Sequence, residues 1–430
     1  MEEDDKKTTE QRKKQISQEL AKLGDPKSKA SKRNIISGVV LLIAMAAVVI
    51  TVILNTNEIG DISSTFIEIS HGKNYLWLIL AIALTILFFL IYPIPLVILS
   101  RSYDKKASAA DGYFIGASEH FYNGVTPFAA GGQPVQIYEF SKKGMDSSLA
   151  TGLVLSNFMI YLIVLNAFEV LAFIFVKDID AAIYNFAGGN YTNYVLIWCL
   201  AVLGYVFNLG FLAAVVCLGV SKRMADWLIR VAKWLCKAKW INKFLGPKIP
   251  RFESYCHNVQ ATTKALFAHK KAVAGAFLVK ILVYALYFSL PYFILRAVGE
   301  DVSWSKFAEV GLIAAFASGS VCWVPTPGGT GGIEFAFAIA IGAIGVPYAQ
   351  ANVVALLWRM LTFYFVVILS FASVVVFESG FQIKLRKDKK TAEARKAELL
   401  EEMRQIESID SPNESSIEAQ SGKDNQDLPR

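Results

Sequence analysis

The sequence predicts an all-α polytopic membrane protein with about six full spans and two re-entrant, broken-helix hairpins that are related like an inverted repeat. Of the 430 residues, 54% are hydrophobic and only 18% are charged, whereas a soluble protein carries about 25% charged residues. Apolar runs of about 20 residues recur, and such runs are long enough to cross a bilayer. Glycine and proline clusters interrupt two further apolar regions, which would raise the count to about eight spans if both were full crossings.

The predicted spans follow one another along residues 35–378, which we expect to form the membrane domain. The first, Ile35–Leu54, contains 20 residues and no charge, and a charged tail of residues 1–34 precedes it. The later predicted spans are Tyr75–Leu99, Leu149–Val176, Tyr194–Val220, Ala272–Ala297 and Val353–Phe377. Prolines are expected to break the second span at Pro93 and to kink the fifth at Pro291. Residues 379–430 are predicted to form a charged helix and a disordered end.

Basic residues concentrate in loops on one side of these spans. The loop 221–271 holds twelve Lys or Arg residues, and its segment 227–245 is typical of a basic amphipathic helix lying on the cytoplasmic leaflet. The positive-inside rule therefore places both termini and the regions 101–148 and 221–271 in the cytoplasm, with the protein in the cell (plasma) membrane. This distribution accounts for the net charge of +7 without nucleic acid, which is not an expected partner.

The outer hairpin is predicted from two apolar segments that are too short to span. Val310–Val324 has 15 residues and Ile333–Val346 has 14, so at about 1.5 Å per residue neither comfortably crosses a hydrocarbon core of about 30 Å. Both flanks of residues 307–346 are expected outside. The segment should therefore enter and leave by the same face, turning at Pro325–Gly332.

The region 101–148 repeats this pattern from the cytoplasmic side. A helix-like segment, Ser108–Tyr122, leads to the break Asn123–Pro134, and a second short segment, Val135–Ser141, follows. Two broken segments of opposite approach favour an inverted-repeat transporter, in which the N-termini of half-helices point N–H groups at an anion. The alternatives are a helical hairpin used only for packing, or full spans with a Pro-Gly kink.

Charged and polar residues at these breaks and within the spans form the predicted site. The expected contacts to a lipid headgroup are Arg359 with Gly131, Gly132, Gln133, Gln136, Glu139, Thr326, Gly328, Gly329, Thr330 and Glu334, and the supporting residues are Glu169, Asn157 and Lys280. One expected role of Arg359 is to bind a phosphate with its planar guanidinium, and the alternative is to pair with Glu334 or Glu169.

The other candidates also have structural alternatives. Glu139 and Glu334 could each complement a positive helix N-terminus. Glu169 could make a structural hydrogen bond instead of carrying a coupled proton. Lys280 could extend its ammonium to the headgroups at the membrane surface.

Catalytic motifs are missing from the sequence. It contains no GxSxG, HExxH, Walker or CxxC pattern, and its five cysteines have no regular spacing. The stretch GGTGG lacks a preceding strand and a following Lys-Ser/Thr. We therefore expect free thiols, no metal, no cofactor and no enzymatic activity.

The stretch TPFAAGGQPVQIYE, followed roughly 190 residues later by PTPGGTGGIEF and then by LLWRMLTFYF, resembles the lysylphosphatidylglycerol synthase transmembrane region. This family is also described as flippase-like, and the likeness covers about Ile35 to Glu378. It implies a lipid-handling membrane domain with two re-entrant helices, proposed to move phospholipids, aminoacylated lipids or related carriers between leaflets.

The chain departs from that family in two respects. Many relatives carry P-x-R-x-G-E at the first element, where this sequence has Gln136 and Tyr138. The soluble aminoacyl-transferring domain of the synthases is also not expected, so the chain should not itself make lysyl-lipid.

The predicted function is binding and translocation of an anionic, aminoacylated or glycosylated lipid between leaflets. The expected partners are a membrane lipid with an anionic headgroup, a second copy of the chain, and a separate lipid-modifying enzyme. One alternative is an ion-coupled transporter of small solutes. Another is a non-transporting membrane scaffold or regulator.

Overall fold

The computed structural model describes residues 12, 14–19, 74–105, 107–126, 131–176, 178–237, 246–321 and 331–410. All regular secondary structure within these ranges is helical. The expected first span and most of the outer glycine break, with Thr326, Gly328, Gly329 and Thr330, lie outside the described residues.

We number fifteen α-helices, α1 to α15, from Tyr75 onwards, and residues 14–19 are also helical. The first eight are α1 (Tyr75–Ile91), α2 (Ile94–Tyr103), α3 (Ala109–Ala117), α4 (Glu119–Gly124), α5 (Gly132–Lys142), α6 (Ser147–Phe175), α7 (Ile179–Phe186) and α8 (Tyr191–Val220). The others are α9 (Lys222–Leu235), α10 (Ile249–Ala268), α11 (Lys270–Ala297), α12 (Phe307–Ser320), α13 (Gly332–Ala340), α14 (Tyr348–Arg359) and α15 (Val366–Asp410). Short 3₁₀ turns precede α10 and α12 and follow α13, and a π-helix (Met360–Phe365) joins α14 to α15.

Five helical segments in the described ranges are long and apolar enough to cross a membrane. They are Tyr75–Tyr103, Ser147–Phe175, Tyr191–Val220, Lys270–Ala297 and Gln350–Ile406. The prediction of an all-α, multi-pass membrane protein is confirmed. As expected, Pro93 separates α1 from α2, whereas Pro291 lies within one continuous helix, α11.

The two broken regions consist of short helices. Helices α3, α4 and α5 have 9, 6 and 11 residues, and α12 and α13 have 14 and 9. At 1.5 Å per residue even the longest extends only about 21 Å, less than a hydrocarbon core of about 30 Å. The first region is more divided than expected, since the predicted helix 108–122 is interrupted at Ser118 and α5 begins already at Gly132.

The interruption at Ser118 is held by the last long helix. The Ser370 hydroxyl of α15 donates to the carbonyl of Ala117 at 2.6 Å and accepts the backbone N–H of Phe121 at 2.8 Å. Two backbone groups freed where α3 ends and α4 begins are thus satisfied by one buried side chain.

Helix α11 lies at the centre of the bundle. It packs against α1, α2, α6, α12 and α14, while α6 packs in turn against α5, α8, α10 and α12. Asp146 caps the start of α6 by accepting the backbone N–H groups of Ser148 and Leu149 at 2.9 and 3.3 Å. Hydrogen bonding to Ser148 holds the pKa of the Asp146 carboxyl below its usual value.

The basic loop is more ordered than the sequence indicates. The part of the expected amphipathic helix 227–245 that the structure describes lies mainly in α9, which begins at Lys222 and ends at Leu235, and residues 238–245 lie outside the described residues. A second helix, α10, follows where a loop was expected. It buries Val259, Thr263 and Leu266 against the bundle. This i, i+4, i+7 spacing is helical, and the many basic residues around it obscured the pattern.

Contacts divide the chain into two units. One is Ser37–Phe377, and the other comprises Met1–Ile36 with Glu378–Arg430. The terminal unit has ion pairs of its own, including Arg12 Nε with Glu402 Oε1 at 2.8 Å and Arg395 Nη2 with Glu19 Oε2 at 3.3 Å.

Candidate functional site

The buried Arg359 and the partly buried Glu334 form an ion pair at the start of α13. Arg359 is only 3% exposed, and its Nε donates to Glu334 Oε1 at 3.0 Å. The other carboxylate oxygen accepts the backbone N–H of Gly331 at 2.8 Å, which is the helix-capping role of an acidic residue in the first turn. Glu334 therefore performs both structural roles that the sequence offered, pairing with Arg359 and complementing a helix N-terminus.

The helix changes its winding immediately after Arg359. The π-helix Met360–Phe365 begins at the next residue, and the Arg359 guanidinium carbon lies 4.5 Å from the centre of the Phe363 ring. π-Helical turns within α-helices are rare and frequently mark functional sites. We call Arg359, Glu334, Gly331 and Phe363 the Arg359 cluster.

A second buried group of charges lies at the first broken region. Glu119, the first residue of α4, is 4% exposed. Its Oε1 accepts Gln133 Nε2 and its Oε2 accepts Gln136 Nε2, both at 3.0 Å. The first turns of α5 thus bind a carboxylate of the same hairpin.

Lys280 of α11 provides the positive charge at this place. Its side chain is 0% exposed, its Nζ lies 4.0 Å from the centre of the Tyr92 ring, and it acts electrostatically on Glu119. The alternative in which Lys280 extends to the membrane surface is therefore wrong, because its position on α11 directs the ammonium into the bundle. We call Lys280, Glu119, Gln133, Gln136 and Tyr92 the Lys280 cluster.

The glycine N–H groups at the start of α5 are hydrogen-bonded within the chain in this conformation. Gly131 N donates to Thr126 Oγ1 at 2.9 Å and Gly132 N donates to Asn123 Oδ1 at 2.7 Å. A Cβ added at Gly132 would lie 2.7 Å from that same Asn123 oxygen. Contact between these N–H groups and an anion stays a prediction, and it requires that Thr126 and Asn123 give way.

The remaining predicted residues belong to other surroundings. Glu139 lies beside Lys142, with Oε2 and Nζ 3.4 Å apart. Glu169 is buried between α6 and α8, and its Oε2 accepts Asn208 Nδ2 at 2.6 Å, the structural hydrogen bond that the sequence allowed. Asn157 is buried, and its Oδ1 has no hydrogen-bond partner among the described residues.

Sequence reasoning missed Glu119 and the tyrosines of α11. Glu119 is the only acidic residue between Gly112 and Gly124, and a lone charge in an apolar stretch of a membrane protein is the signal that could have found it. Tyr284 and Tyr287 gave no such signal, since tyrosine is common in any membrane helix.

Helix α11 connects the two clusters. Lys280, Tyr284 and Tyr287 have i, i+4, i+7 spacing and so share one helix face, over a rise of about 10 Å. The ring centres of Tyr284 and Tyr287 are 6.0 Å apart, and those of Tyr287 and Trp358 are 5.5 Å apart. An aromatic row thus extends from the Lys280 cluster to the residue before Arg359.

Comparisons with known proteins agree with this architecture. Residues 35–370 match the family described as "Lysylphosphatidylglycerol synthase TM region". The chain is 24% identical over 307 residues to a "UPF0104 membrane protein" of Archaeoglobus fulgidus, covering 68% of this chain and 83% of that protein. It is also 24% identical over 272 residues to a "UPF0104 membrane protein" of Methanothermobacter thermautotrophicus, covering 61% of this chain and 74% of the relative. No solved structure matches.

Proposed function

We propose a function from the premise that this chain belongs to the lysylphosphatidylglycerol synthase TM region family. The protein binds a lipid with an anionic headgroup and moves it between the two leaflets of the cell membrane. In this proposal it transports the lipid without modifying it, and a separate enzyme supplies any aminoacylated or glycosylated form.

The observation that carries the proposal is the buried Arg359 at the end of α14, paired with Glu334 in the first turn of the short, glycine-led helix α13. A guanidinium within a membrane segment is expensive, so such residues are functional candidates by default. Its planar fork matches the oxygens of a phosphate. The start of α13 adds a positive helix end, to which an anion is attracted.

In this proposal, Glu334 regulates the access of the headgroup to Arg359. Its carboxylate holds Arg359 and the Gly331 N–H at once, so it occupies the partners that a phosphate oxygen would use. An arriving headgroup therefore exchanges with Glu334 or shares the guanidinium with it. This keeps Arg359 neutralised when no lipid is bound, which lowers the cost of the buried charge.

The surroundings of the Arg359 cluster suit a lipid better than a free solute. The Glu334 side chain is 18% exposed, and the next residue, Phe335, is an exposed aromatic on the same short helix. Headgroup contacts and apolar surface are thus adjacent, as an amphiphile requires. This arrangement supports a lipid with an anionic headgroup as the substrate class.

A leaflet-resolved assay with purified protein in vesicles tests the proposal. Fluorescent phosphatidylglycerol, phosphatidylethanolamine and phosphatidylcholine are compared, with dithionite reporting the outer leaflet. We expect phosphatidylglycerol to move fastest and Arg359→Ala to slow it about 10- to 100-fold, because a hydrogen bond to a charged group contributes about 1.5–3 kcal/mol. Equal rates for all lipids would contradict headgroup recognition.

The matched control is Arg296→Ala. Arg296 is an arginine at the end of α11 that pairs with Asp301 at 3.6 Å and lies outside the Arg359 cluster, so this variant should transport at the rate of the unaltered protein. If Arg359→Ala fails to fold, Arg359→Lys keeps the charge and loses only the fork, and it should fold yet transport more slowly. A folded Arg359→Ala protein with an unchanged rate would exclude the proposal and favour a scaffold.

A further inference from the structure

The Lys280 cluster is a second buried set of charges that the proposed headgroup site does not use. Glu119 and Lys280 are both withdrawn from solvent, and no direct salt bridge joins them among the described residues. Buried charges are costly unless they are paired and hydrogen-bonded. Two charges held close but not in contact therefore call for a functional explanation.

The hydrogen bonding of the cluster is incomplete on the cationic side. Each Glu119 oxygen accepts an amide N–H, but Lys280 Nζ has no hydrogen-bond partner among the described residues, and neither do Gln136 Oε1 and His120 Nε2. An ammonium offers three donors, and buried polar groups are normally satisfied. The arrangement has unused donors and acceptors, as expected of a site that exchanges a proton and a ligand.

The groups around Glu119 come from its own helix α4 and from four other elements. They are Lys280 and Tyr284 of α11, Gln133 and Gln136 of α5, Tyr161 of α6, Tyr92 after α1, and His120 and Asn123 of its own helix. Of the other charges on the packed helices, Glu139 lies beside Lys142 and Asp111 beside Lys143. Lys280 is thus the main opposing charge for Glu119.

We infer that Glu119 and Lys280 form a proton-binding site and that proton uptake there is linked to binding of the anionic headgroup. A proton from the aqueous phase adds to a Glu119 carboxylate oxygen, and Lys280 keeps its ammonium. The net charge of the pair thereby changes from zero to +1. An uncompensated charge at this depth is unfavourable, and an anion near Lys280 relieves it.

The position of Lys280 on α11 supports the link to the headgroup site. The face that carries Tyr284 and Tyr287 leads over about 10 Å towards Trp358 and Arg359. A headgroup leaving Arg359 would therefore meet a net positive charge at Lys280 only when Glu119 is protonated. Linkage is reciprocal, so the anion must also promote protonation. This inference rests on the proposed function for the identity of the anion, but not for the proton.

Proton binding can be tested without transport. Infrared difference spectra between acid and alkaline pH are recorded on the full-length protein in phosphatidylcholine vesicles. We expect a carboxylic-acid C=O component that is missing from Glu119→Gln and retained in Glu309→Gln. Glu309 is a matched control, because its carboxylate pairs with Lys306 at 2.6 Å on α12, outside both clusters. A spectrum unchanged by Glu119→Gln would overturn the inference.

The link to transport is tested in the same vesicles with an imposed pH gradient. Phosphatidylglycerol translocation by the unaltered protein and by Glu309→Gln should change by up to about tenfold per pH unit if one proton is coupled. Glu119→Gln should transport without responding to the gradient. If the unaltered protein transports but ignores the gradient, the linkage is wrong and the proposed function stands.

Two further outcomes distinguish a failure of the proposed function from a failure of the proton-binding inference. If no lipid moves in any sample, the proposed function fails, and the infrared component still decides on proton binding. If Glu119→Gln does not fold, Glu119→Asp replaces it, because it keeps a titrating carboxyl on a shorter side chain. Its infrared component should then be shifted, and an unshifted component would assign the proton to another carboxyl.

Discussion

At the scale of single residues, the protein holds its buried charges by two different means. Arg359 has a direct partner, because Glu334 contacts it at 3.0 Å. Glu119 instead accepts neutral amides and lies near Lys280 without a salt bridge. The first arrangement neutralises a permanent charge, and the second leaves room for a change of protonation. The two clusters therefore suit different tasks, headgroup contact and proton binding.

Small residues permit the close approach of helices at this scale. A Cβ added at Gly204 of α8 would lie 2.2 Å from the backbone oxygen of Ser320 on α12, so Gly204→Ala must push two backbones apart. We expect a loss of about 1–3 kcal/mol in the free energy of unfolding, typical of overpacking. Thermal unfolding in detergent measures the loss.

Gly210 provides the control for Gly204 on the same helix. A Cβ added at Gly210 would lie more than 4 Å from any described heavy atom beyond the neighbouring residues and backbone of its own helix, so Gly210→Ala should be neutral or raise stability by up to about 1 kcal/mol through helix propensity. Equal destabilisation by both substitutions would mean that glycine acts through the flexibility of α8 and not through the contact with Ser320.

At the scale of elements, breaks in helices create the candidate sites. The helix α14–α15 changes to π winding just after Arg359, and the first broken region divides at Ser118 before Glu119. Each irregularity frees backbone groups that must be satisfied within the protein, since lipid offers no hydrogen bonds. The side chains that form hydrogen bonds to these backbone groups, such as Ser370, should therefore contribute strongly to stability.

Ser370→Ala tests this expectation. The substitution leaves the buried Phe121 N–H and Ala117 carbonyl without the hydroxyl that joins them, so the free energy of unfolding should fall by about 1–3 kcal/mol. Urea or thermal unfolding in detergent measures this loss.

Ser373→Ala is the matched control, one turn further along the same helix. The Ser373 hydroxyl donates only to the Leu369 carbonyl of its own helix at 3.2 Å, so its removal should cost less than about 0.5 kcal/mol. If the Ser370→Ala and Ser373→Ala proteins are equally stable, the proposed stabilisation of the first broken region by Ser370 is incorrect.

At the scale of the whole molecule, α11 is long and apolar enough to cross the membrane, and we expect it to separate the basic loop from the segment that follows it. A sidedness experiment therefore replaces the native cysteines and introduces Glu253→Cys or Asp301→Cys. Asp301 is 99% exposed and should react with an impermeant maleimide in intact cells. Glu253→Cys should react only after permeabilisation, because basic loops stay in the cytoplasm.

The outcome tests the arrangement of the spans as a whole. Labelling of both positions from one side would contradict a full crossing by α11. Labelling from opposite sides, but with Glu253→Cys outside, would retain the crossing and reverse the proposed orientation.

Much of the helical framework could be predicted from the sequence, and the reasons are local. The spans at Leu149, Tyr194 and Ala272 were expected within three residues of where α6, α8 and α11 begin, because long apolar runs have few alternatives in a bilayer. The bounds of the basic helix α9 were predicted less accurately, and α10 was not predicted, since the apolar positions of both helices are interspersed with many charges.

The candidate site was predictable only in part. Arg359 and Glu334 were identified because a lone charge in a span and an acid after a glycine break are both visible in one stretch of sequence. Glu119 was overlooked, and Glu139 was placed with the headgroup contacts although it lies beside Lys142. Choosing between two carboxylates of one hairpin requires knowing which way each helix face points.

The sequence by itself determined the class, the family and the positions of the two broken regions, because hydrophobicity and helix interruption are properties of short segments measured against a fixed bilayer thickness. Only the tertiary structure decided which buried charges meet. Helix rotation and packing bring Lys280 near Glu119 and pair Arg359 with Glu334, and they depend on contacts between residues far apart in the chain.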